Sequence, residues 1–298
     1  MLTTDQLQAR KIGGSDVATI LGLNPYKTPL ELWAEKTGRI EPENLDDNEA
    51  VEAGNVMEDA IATLTAKRMS RRLGREIKLR RCNLTLSNPK YPWLTAHIDR
   101  DVVGEERGVE IKNVGWRMAR DWGEQGTDEI PDHYLPQPHT YMLVKDYPVW
   151  TVSSYFGGSE LRLYEVERDK SMEEVIVEET HKFWHEHVLK DVEPAFDPGH
   201  KAASKALKRL YPGTNGAELK ADAALEHWRA VYEDACAAKA RYDKAAELAK
   251  DHILYSMGEA AVMRFADGST FTRKKVLRKA YVVEATEYID GRLKKPKE

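Results

Sequence analysis

Asp99, Glu110 and Lys112 are the residues whose types and spacing point most directly to chemistry in this 298-residue sequence. They lie in two runs, Thr95-Ala96-His97-Ile98-Asp99 and Val109-Glu110-Ile111-Lys112. Side chains alternate along a strand, so Glu110 and Lys112 share one face and Val109 and Ile111 the other. Gly104-Glu105-Glu106-Arg107 reads as the turn of a hairpin that brings Asp99 beside Glu110. Two carboxylates, with the Ile111 carbonyl, are hard oxygen donors suited to Mg²⁺ or Mn²⁺, which also bind substrate phosphate. Such an ion lowers the pKa of a bound water and offsets charge on a phosphorane. Lys112 can position that water and stabilise the developing negative charge. Alone, a Glu-x-Lys on a strand describes a solvated face; the aspartate across the hairpin gives the pattern its chemical sense.

Other segments offer further polar groups. The turn Ile12-Gly13-Gly14-Ser15-Asp16 presents backbone N–H groups, a hydroxyl and a helix start, which together make a phosphate site, and Arg10 can add charge to it. Its plain alternative is an ordinary capped helix. Glu58, in Gly54-Asn55-Val56-Met57-Glu58, falls on a helix, and Gln137 and Tyr141 share one helical face. His181, His185 and His187 invite a zinc reading, but no glutamate follows the first histidine and no third ligand is evident. Trp116, Trp122 and Trp150 are candidates for base stacking, Trp116 above all because it follows the Lys112 strand; core anchoring is the alternative. No Gly-x4-Gly-Lys-Ser/Thr loop occurs, which excludes ATP hydrolysis of that kind.

These groups need a scaffold. Short helices are expected over Ser15–Leu21 and from Thr28-Pro29-Leu30-Glu31 to Gly38, and a longer one over Asn48–Met69, interrupted at Gly54. From Arg75 the period shortens to two. Ile77, Leu79, Leu84 and Leu86 make one strand or a bulged pair, followed by strands over Leu94–Val103 and Gly108–Val114. Helices near Trp116–Glu124 and Asp132–Val144, strands Val149–Phe156 and Leu161–Val166, and a helix over Ser171–Lys190 complete this part. Ala217–His252 is an alanine-rich amphipathic helix that needs a partner surface. A hairpin through Asp267-Gly268 follows. The helix and hairpin are expected to pack together or onto the preceding part, turning Arg273, Lys274, Lys275, Arg278 and Lys279 outward.

Composition limits the function class. Hydrophobic residues are 41% and charged residues 32%, enough for a core. Residues 1–200 hold 25 basic and 36 acidic residues, a net of −11, whereas 201–298 hold 20 and 14, a net of +6. Two domains are expected, 1–200 and a basic extension over 201–298, the latter compatible with a polyanion. Two cysteines exclude a disulfide scaffold and a four-cysteine zinc site. No apolar run approaches a membrane span and Met1–Gly14 lacks a secretory pattern, so a soluble, cytoplasmic protein without membrane contact is expected, in a bacterial or phage-infected bacterial cell.

Five segments, Ile12–Ala18, Gly54–Glu58, Ile98-Asp99, Glu110-Ile111-Lys112 and Gln137–Met142, occur in an order and spacing that resemble the YqaJ/lambda-exonuclease group of phage-type recombination nucleases, within the PD-(D/E)XK superfamily. The resemblance covers roughly Leu7 to Phe196. It implies an α/β (α+β) restriction-endonuclease-like core, a central mixed sheet flanked by helices, with the long helix and hairpin appended. It further implies Mg²⁺-dependent, ATP-independent 5′→3′ digestion of duplex DNA with 5′-phosphate ends, a homotrimeric ring, and work beside a single-strand annealing protein. Residue by residue, Asp99 and Glu110 match the metal carboxylates, Ile111 the carbonyl ligand, Lys112 the catalytic lysine and Glu58 the outlying helix carboxylate. Gln137 matches the glutamine at the site's rim, Ser15 a 5′-phosphate contact and Arg10 its accompanying arginine. His97 stands where the family has a small hydroxyl residue near the phosphate. An endonuclease on the same fold and a non-catalytic DNA-binding scaffold are the alternatives.

Overall fold

The structure is a computed structural model and describes residues 10–45 and 47–277. Its contacts divide the chain into two compact units, Met1–Pro212 and Gly213–Glu298.

The first unit opens with β1 (Ile12–Gly13) running directly into α1 (Gly14–Ile20), then α2 (Pro29–Lys36) and α3 (Glu49–Leu73). Thr28 caps α2 by accepting from the Glu31 N–H, with proline at the first helical position, and Asn48 caps α3 by accepting from Ala50 and Val51. Gly54 does not break α3; the helix runs through it for 25 residues and stops at Gly74, whose φ of 66° suits a glycine terminator. Strands β2 (Leu79–Arg81), β3 (Leu86–Asn88), β4 (Tyr91–Ala96), β5 (Arg100–Val102) and β6 (Arg107–Val114) follow. The helical segment expected near Trp116–Glu124 is a 3₁₀ helix over Trp116–Asp121. Then come α4 (Pro136–Lys145), β7 (Val149–Phe156), β8 (Glu160–Glu167), α5 (Lys170–Lys182) with a π turn over Phe183–Val188, and α6 (Ala203–Leu210).

Two sheets organise this unit. The larger has the order β2-β5-β6-β7-β8 and is mixed, with β6 and β7 parallel and the other pairs antiparallel. The smaller has the order β1-β4-β3, with β1 parallel to β4. Helices flank the larger sheet: the stripe Ile61, Thr65, Met69 of α3 is buried, and Ile61 and Met69 pack with Val109, Ile111 and Leu163. Trp150, Val152, Phe156 and Tyr164 belong to the larger core, which also holds Met142 and Leu143 of α4. Gly108 is required there, because a Cβ would lie 2.1 Å from the Trp150 ring.

Two expectations about strands give way. The run Leu94–Val103 is not one strand: β4 ends at Ala96 in the small sheet, and the chain crosses through His97–Asp99 to begin β5 in the large one. Burying Ile98 at the crossing lets the two sheets share one core. The segment from Leu79 to Leu86 likewise splits between sheets rather than forming a bulged pair.

The first unit extends past the boundary expected at residue 200, because α6 is tied to α2. Arg209 pairs with the fully buried Glu31 and, at 2.8 Å, with Glu35. In the second unit, Asp222 caps α7 (Ala223–Met257) and β9 (Val262–Arg264) pairs with β10 (Thr270–Thr272). The Asp267-Gly268 turn places glycine at φ 84°. Leu225, Trp228, Tyr242 and Leu248 on α7 are exposed. Arg278 and Lys279 lie outside the described residues.

Removing one partner of a buried ion pair strands the other charge. Arg209→Met is therefore expected to destabilise the protein by about 3 kcal/mol, read from urea unfolding. A loss no larger than that of an exposed pair, under about 1 kcal/mol, would mean that the contact does not anchor α6.

Candidate active site

The hairpin expected from the sequence forms with Arg100 opposite Val109, which sets Asp99 level with Glu110 just beyond the end of β5. Since β5 begins only at Arg100, Asp99 is free of the ladder and its side chain replaces a strand: Asp99 Oδ2 accepts from the Ile111 N–H at 2.7 Å. Glu110 is buried, and Lys112 Nζ donates to Glu110 Oε1 at 2.6 Å and to Gln137 Oε1 at 3.0 Å. Gln137, on the first turn of α4, in turn donates from Nε2 to Tyr141 Oη at 2.7 Å. The Lys112 ammonium also lies 5.0 Å from the centre of the Tyr134 ring.

Electrostatics follow from this crowding. Burial, and then the charge of Glu110, push the Asp99 carboxyl up to about 8, against partial relief from the Ile111 N–H and Lys112. Burial alone would lower the Lys112 pKa, but the Glu110 charge and hydrogen bond outweigh it and the net shift is upward, so Lys112 is a cation. Burial raises the Tyr141 hydroxyl well above its usual range, which keeps it neutral.

A second polar cluster lies at the start of α1. Ser15 lines an open depression of about 500 Å³ together with Lys11, Lys36, Thr95 and His97. Asp16 closes the turn by accepting from the Gly13 N–H at 2.9 Å, and Lys36 Nζ pairs with Asp16 at 2.6 Å. The depression and the carboxylate site are mechanically linked: a Cβ on Gly14 would sit 2.5 Å from the Tyr141 ring, so α1 rests on the residue that fixes Gln137.

Comparison with known proteins accords with this layout. Residues 5–148 match the family model described as the YqaJ-like viral recombinase domain. Over those residues the chain is similar to that domain. The uncharacterized protein YqaJ of Bacillus subtilis (strain 168) is 36% identical over 211 residues, 70% of this chain and 63% of that protein. The chain therefore spans less than two thirds of that relative's length. Among solved structures, an alkaline exonuclease from Laribacter hongkongensis is similar over 64% of this chain and 95% of its own, with a TM-score of 0.45 and 18% identity. A phage-related exonuclease from Haemophilus somnus 129PT is similar over 61% and 96%, with a TM-score of 0.45 and 14% identity.

Within residues 5–148, Asp99, Glu110, Ile111, Lys112 and Gln137 come together, and Ser15 and His97 share the neighbouring depression. One expected residue does not join them. Arg10 does not line the depression; it donates to the Glu35 carbonyl at 2.6 Å, which also accepts from the Gly38 N–H at the end of α2. Glu58 stands at the edge of the cluster: the buried Arg100 guanidinium donates to it at 2.6 Å and to the Asp99 carbonyl at 2.7 Å, and its charge adds to the upward push on Asp99. Among the described residues no three His, Cys, Asp or Glu side chains form a metal cluster, so the donors in place are two carboxylates and a carbonyl. A divalent ion fits this set: Glu110 Oε2 is buried with no hydrogen-bond partner, and burial and the Glu110 charge hold the carboxyl beside it protonated, a cost that a cation would offset. Sequence reasoning missed Lys11, Lys36 and Thr95. Thr95 sits opposite Gly13 in the β1–β4 register, a pairing that no local signal reveals. The three histidines form no metal site; His181 and His185 stack on one another, and Trp93 meets both edge-on.

Folded Asp99 keeps its proton to about pH 8, whereas the unfolded residue loses it near 3.8. Between those values the folded state binds more protons, so stability falls as pH rises and levels off above about 8. Asp99→Asn retains an acceptor for Ile111 and removes this dependence. In EDTA, the stability of wild type minus that of D99N is expected to decline from pH 4 to pH 8 by denaturant titration; a constant difference would refute the buried, protonated carboxyl.

Proposed function

We propose that the protein is a divalent-metal-dependent nuclease that digests linear duplex DNA from 5′-phosphorylated ends, 5′→3′ and without ATP, in phage-type recombination by single-strand annealing. The observation that carries this reading is the meeting of Asp99, Glu110 and Lys112 at one end of the β5–β6 hairpin, with one Glu110 oxygen left unpartnered.

Asp99, Glu110 Oε2 and the Ile111 carbonyl would hold Mg²⁺, with Mn²⁺ as a substitute. Bound there, the ion supplies Lewis acidity toward the oxygens of the scissile phosphate. Lys112 presents a fixed positive charge where negative charge accumulates in phosphodiester hydrolysis. Its second donor contact, to Gln137 Oε1, fixes the ammonium's direction, and the Gln137–Tyr141 bond fixes the glutamine. Lys112 can therefore orient the attacking water without a large change of side-chain position.

End preference follows from the second cluster. Ser15, the N–H groups at the start of α1 and the lysines Lys11 and Lys36 suit a terminal phosphate. A phosphate anchored there is held at a set distance from Lys112 through the Gly14–Tyr141 packing, which favours cleavage counted from an end over cleavage within a closed circle. A homotrimeric ring and a single-strand annealing partner belong to this same reading.

The decisive assay compares end-labelled linear duplex with closed circular DNA, in Mg²⁺ or EDTA. Wild type is expected to digest only the linear form and only with metal, and Lys112→Ala to lose digestion by about three orders of magnitude or more while binding duplex nearly as well. Cleavage of the circle at a comparable rate would favour an endonuclease, and digestion by K112A within a few fold of wild type would remove the lysine from catalysis.

For the anchor, wild type is expected to prefer 5′-phosphoryl over 5′-hydroxyl ends, and Ser15→Ala to narrow that preference by about tenfold, the worth of one charge-assisted contact. Identical preference ratios in the two proteins would dismiss the depression as a phosphate site.

A further inference from the structure

Eight of the 25 basic residues in the acidic first 200 lie within the fifteen positions 67–81, where Glu76 is the one acid. They are Lys67, Arg68, Arg71 and Arg72 on the C-terminal half of α3, with Arg75, Lys78, Arg80 and Arg81 leading into and along β2, and all eight are exposed. The macrodipole favours cations in the last turn of α3, which accounts for Arg71 and Arg72. It does not account for Lys67 or for the cations on β2.

Counter-ions are unevenly shared among them. Arg75 pairs with Glu105, Arg80 with Asp101 and Arg81 with Asp59. Lys67 and Arg71 have no carboxylate partner among the described residues; Arg71 bonds only the Lys67 carbonyl, at 3.3 Å. The two stand four residues apart on one helical face, where like charges repel. Both line an open groove of about 760 Å³ between α3 and β2, floored by Ala62, Ala66 and Ile77. The groove runs to the candidate active site: Arg81 and Arg100 line it, and Arg100 donates to the Asp99 carbonyl at 2.7 Å.

We propose that this groove carries the sugar-phosphate backbone of a DNA strand at the candidate active site, with Lys67 and Arg71 contacting phosphates. The inference rests on the nuclease reading for its direction, since a strand lying along α3 meets Arg100 and then Asp99. No aromatic side chain lines the groove, so it offers no stacking platform and tracks the backbone without regard to base sequence. The two carboxylates on its lining are already paired, Asp59 with Arg81 and Arg100 and Glu76 with Lys78, so Lys67 and Arg71 remain the uncompensated charges and make phosphate the complementary ligand.

The test uses the full chain in EDTA, so that binding is read without cleavage. Anisotropy of a labelled 5′-phosphorylated duplex, and separately of its single strand, is followed against salt for wild type, Lys67→Ala/Arg71→Ala, and the control Lys182→Ala/Lys190→Ala. The control removes the same charge from exposed positions elsewhere. The groove variant is expected to bind about tenfold more weakly at moderate salt. Its log–log salt slope should fall by about 1.8 on duplex or about 1.4 on single strand, two phosphate contacts in either case. Whichever DNA shows the fall is the one the groove carries. With Mg²⁺, its KM should rise while the rate at saturating DNA stays unchanged. Unchanged slopes on both DNAs, or an equal fall in the control, would overturn the groove. A wild type that shows the slope difference yet never hydrolyses DNA would refute the nuclease reading and leave the groove standing. Hydrolysis with unaffected slopes would refute the groove alone.

Discussion

Two carboxylates held side by side, Glu110 buried and Asp99 half-buried, are the constraint around which the first unit is arranged. Asp99 and Glu110 repel each other, and burial penalises the ionised form of Asp99. The fold meets this cost in three ways. Asp99 stays protonated well above its usual range, the Ile111 N–H donates to it, and Lys112 is drawn against Glu110. What remains unmet is one Glu110 oxygen. A site that is partly compensated in this way has free energy to gain from a divalent cation, and the stabilisation expected on binding has the same origin as the strain seen without it.

The arrangement depends on a break in regular structure. Had Leu94–Val103 continued as one strand, the backbone N–H of Ile111 would face a ladder partner and Asp99 would be another alternating side chain. Crossing between sheets at His97–Asp99 instead leaves the Asp99 carboxylate to occupy that partner's place. The same crossing carries β4, and with it Thr95, to the edge of β1, where the Gly13–Asp16 turn begins. One irregular tripeptide thus sets both the carboxylate pair and the wall of the depression beside it. Gly14 transmits the coupling on the other side, since only a residue without a side chain lets α1 approach the Tyr141 ring.

Much of this was legible in the sequence, and the parts that were not share a physical cause. The alternation in Val109–Lys112 told which residues face α3 and which face the site, because a strand's period is local. Placing Asp99 beside Glu110 needed only a short hairpin. The crossing at His97–Asp99 could not be read, because nothing in Thr95–Asp99 distinguishes a strand that changes sheets from one that continues. Arg10 went astray for a related reason. It is a charged residue whose partner, the Glu35 carbonyl, comes from a segment that no local signal brings near. The placement of α6 with the first unit rests on the Arg209 pairs with Glu31 and Glu35, more than 170 residues away, and so escaped a reading based on composition.

Charge distribution gives the first unit its selectivity among surfaces. At physiological salt a charge is felt over about 8 Å, so a net value describes solubility better than it describes binding. The first 200 residues are acidic as a whole, yet their exposed cations gather along α3 and β2, and others, Lys11 and Lys36, line the depression at Ser15. A polyanion meets denser positive charge at these two places than at the scattered cations elsewhere, such as Lys90, Lys170 and Lys182. Each place adjoins the carboxylate cluster, the groove through Arg100 and the depression through Gly14 and Tyr141. In the proposed reading, electrostatics therefore do more than hold DNA: the denser positive charge along these two approaches favours a path that ends at Lys112.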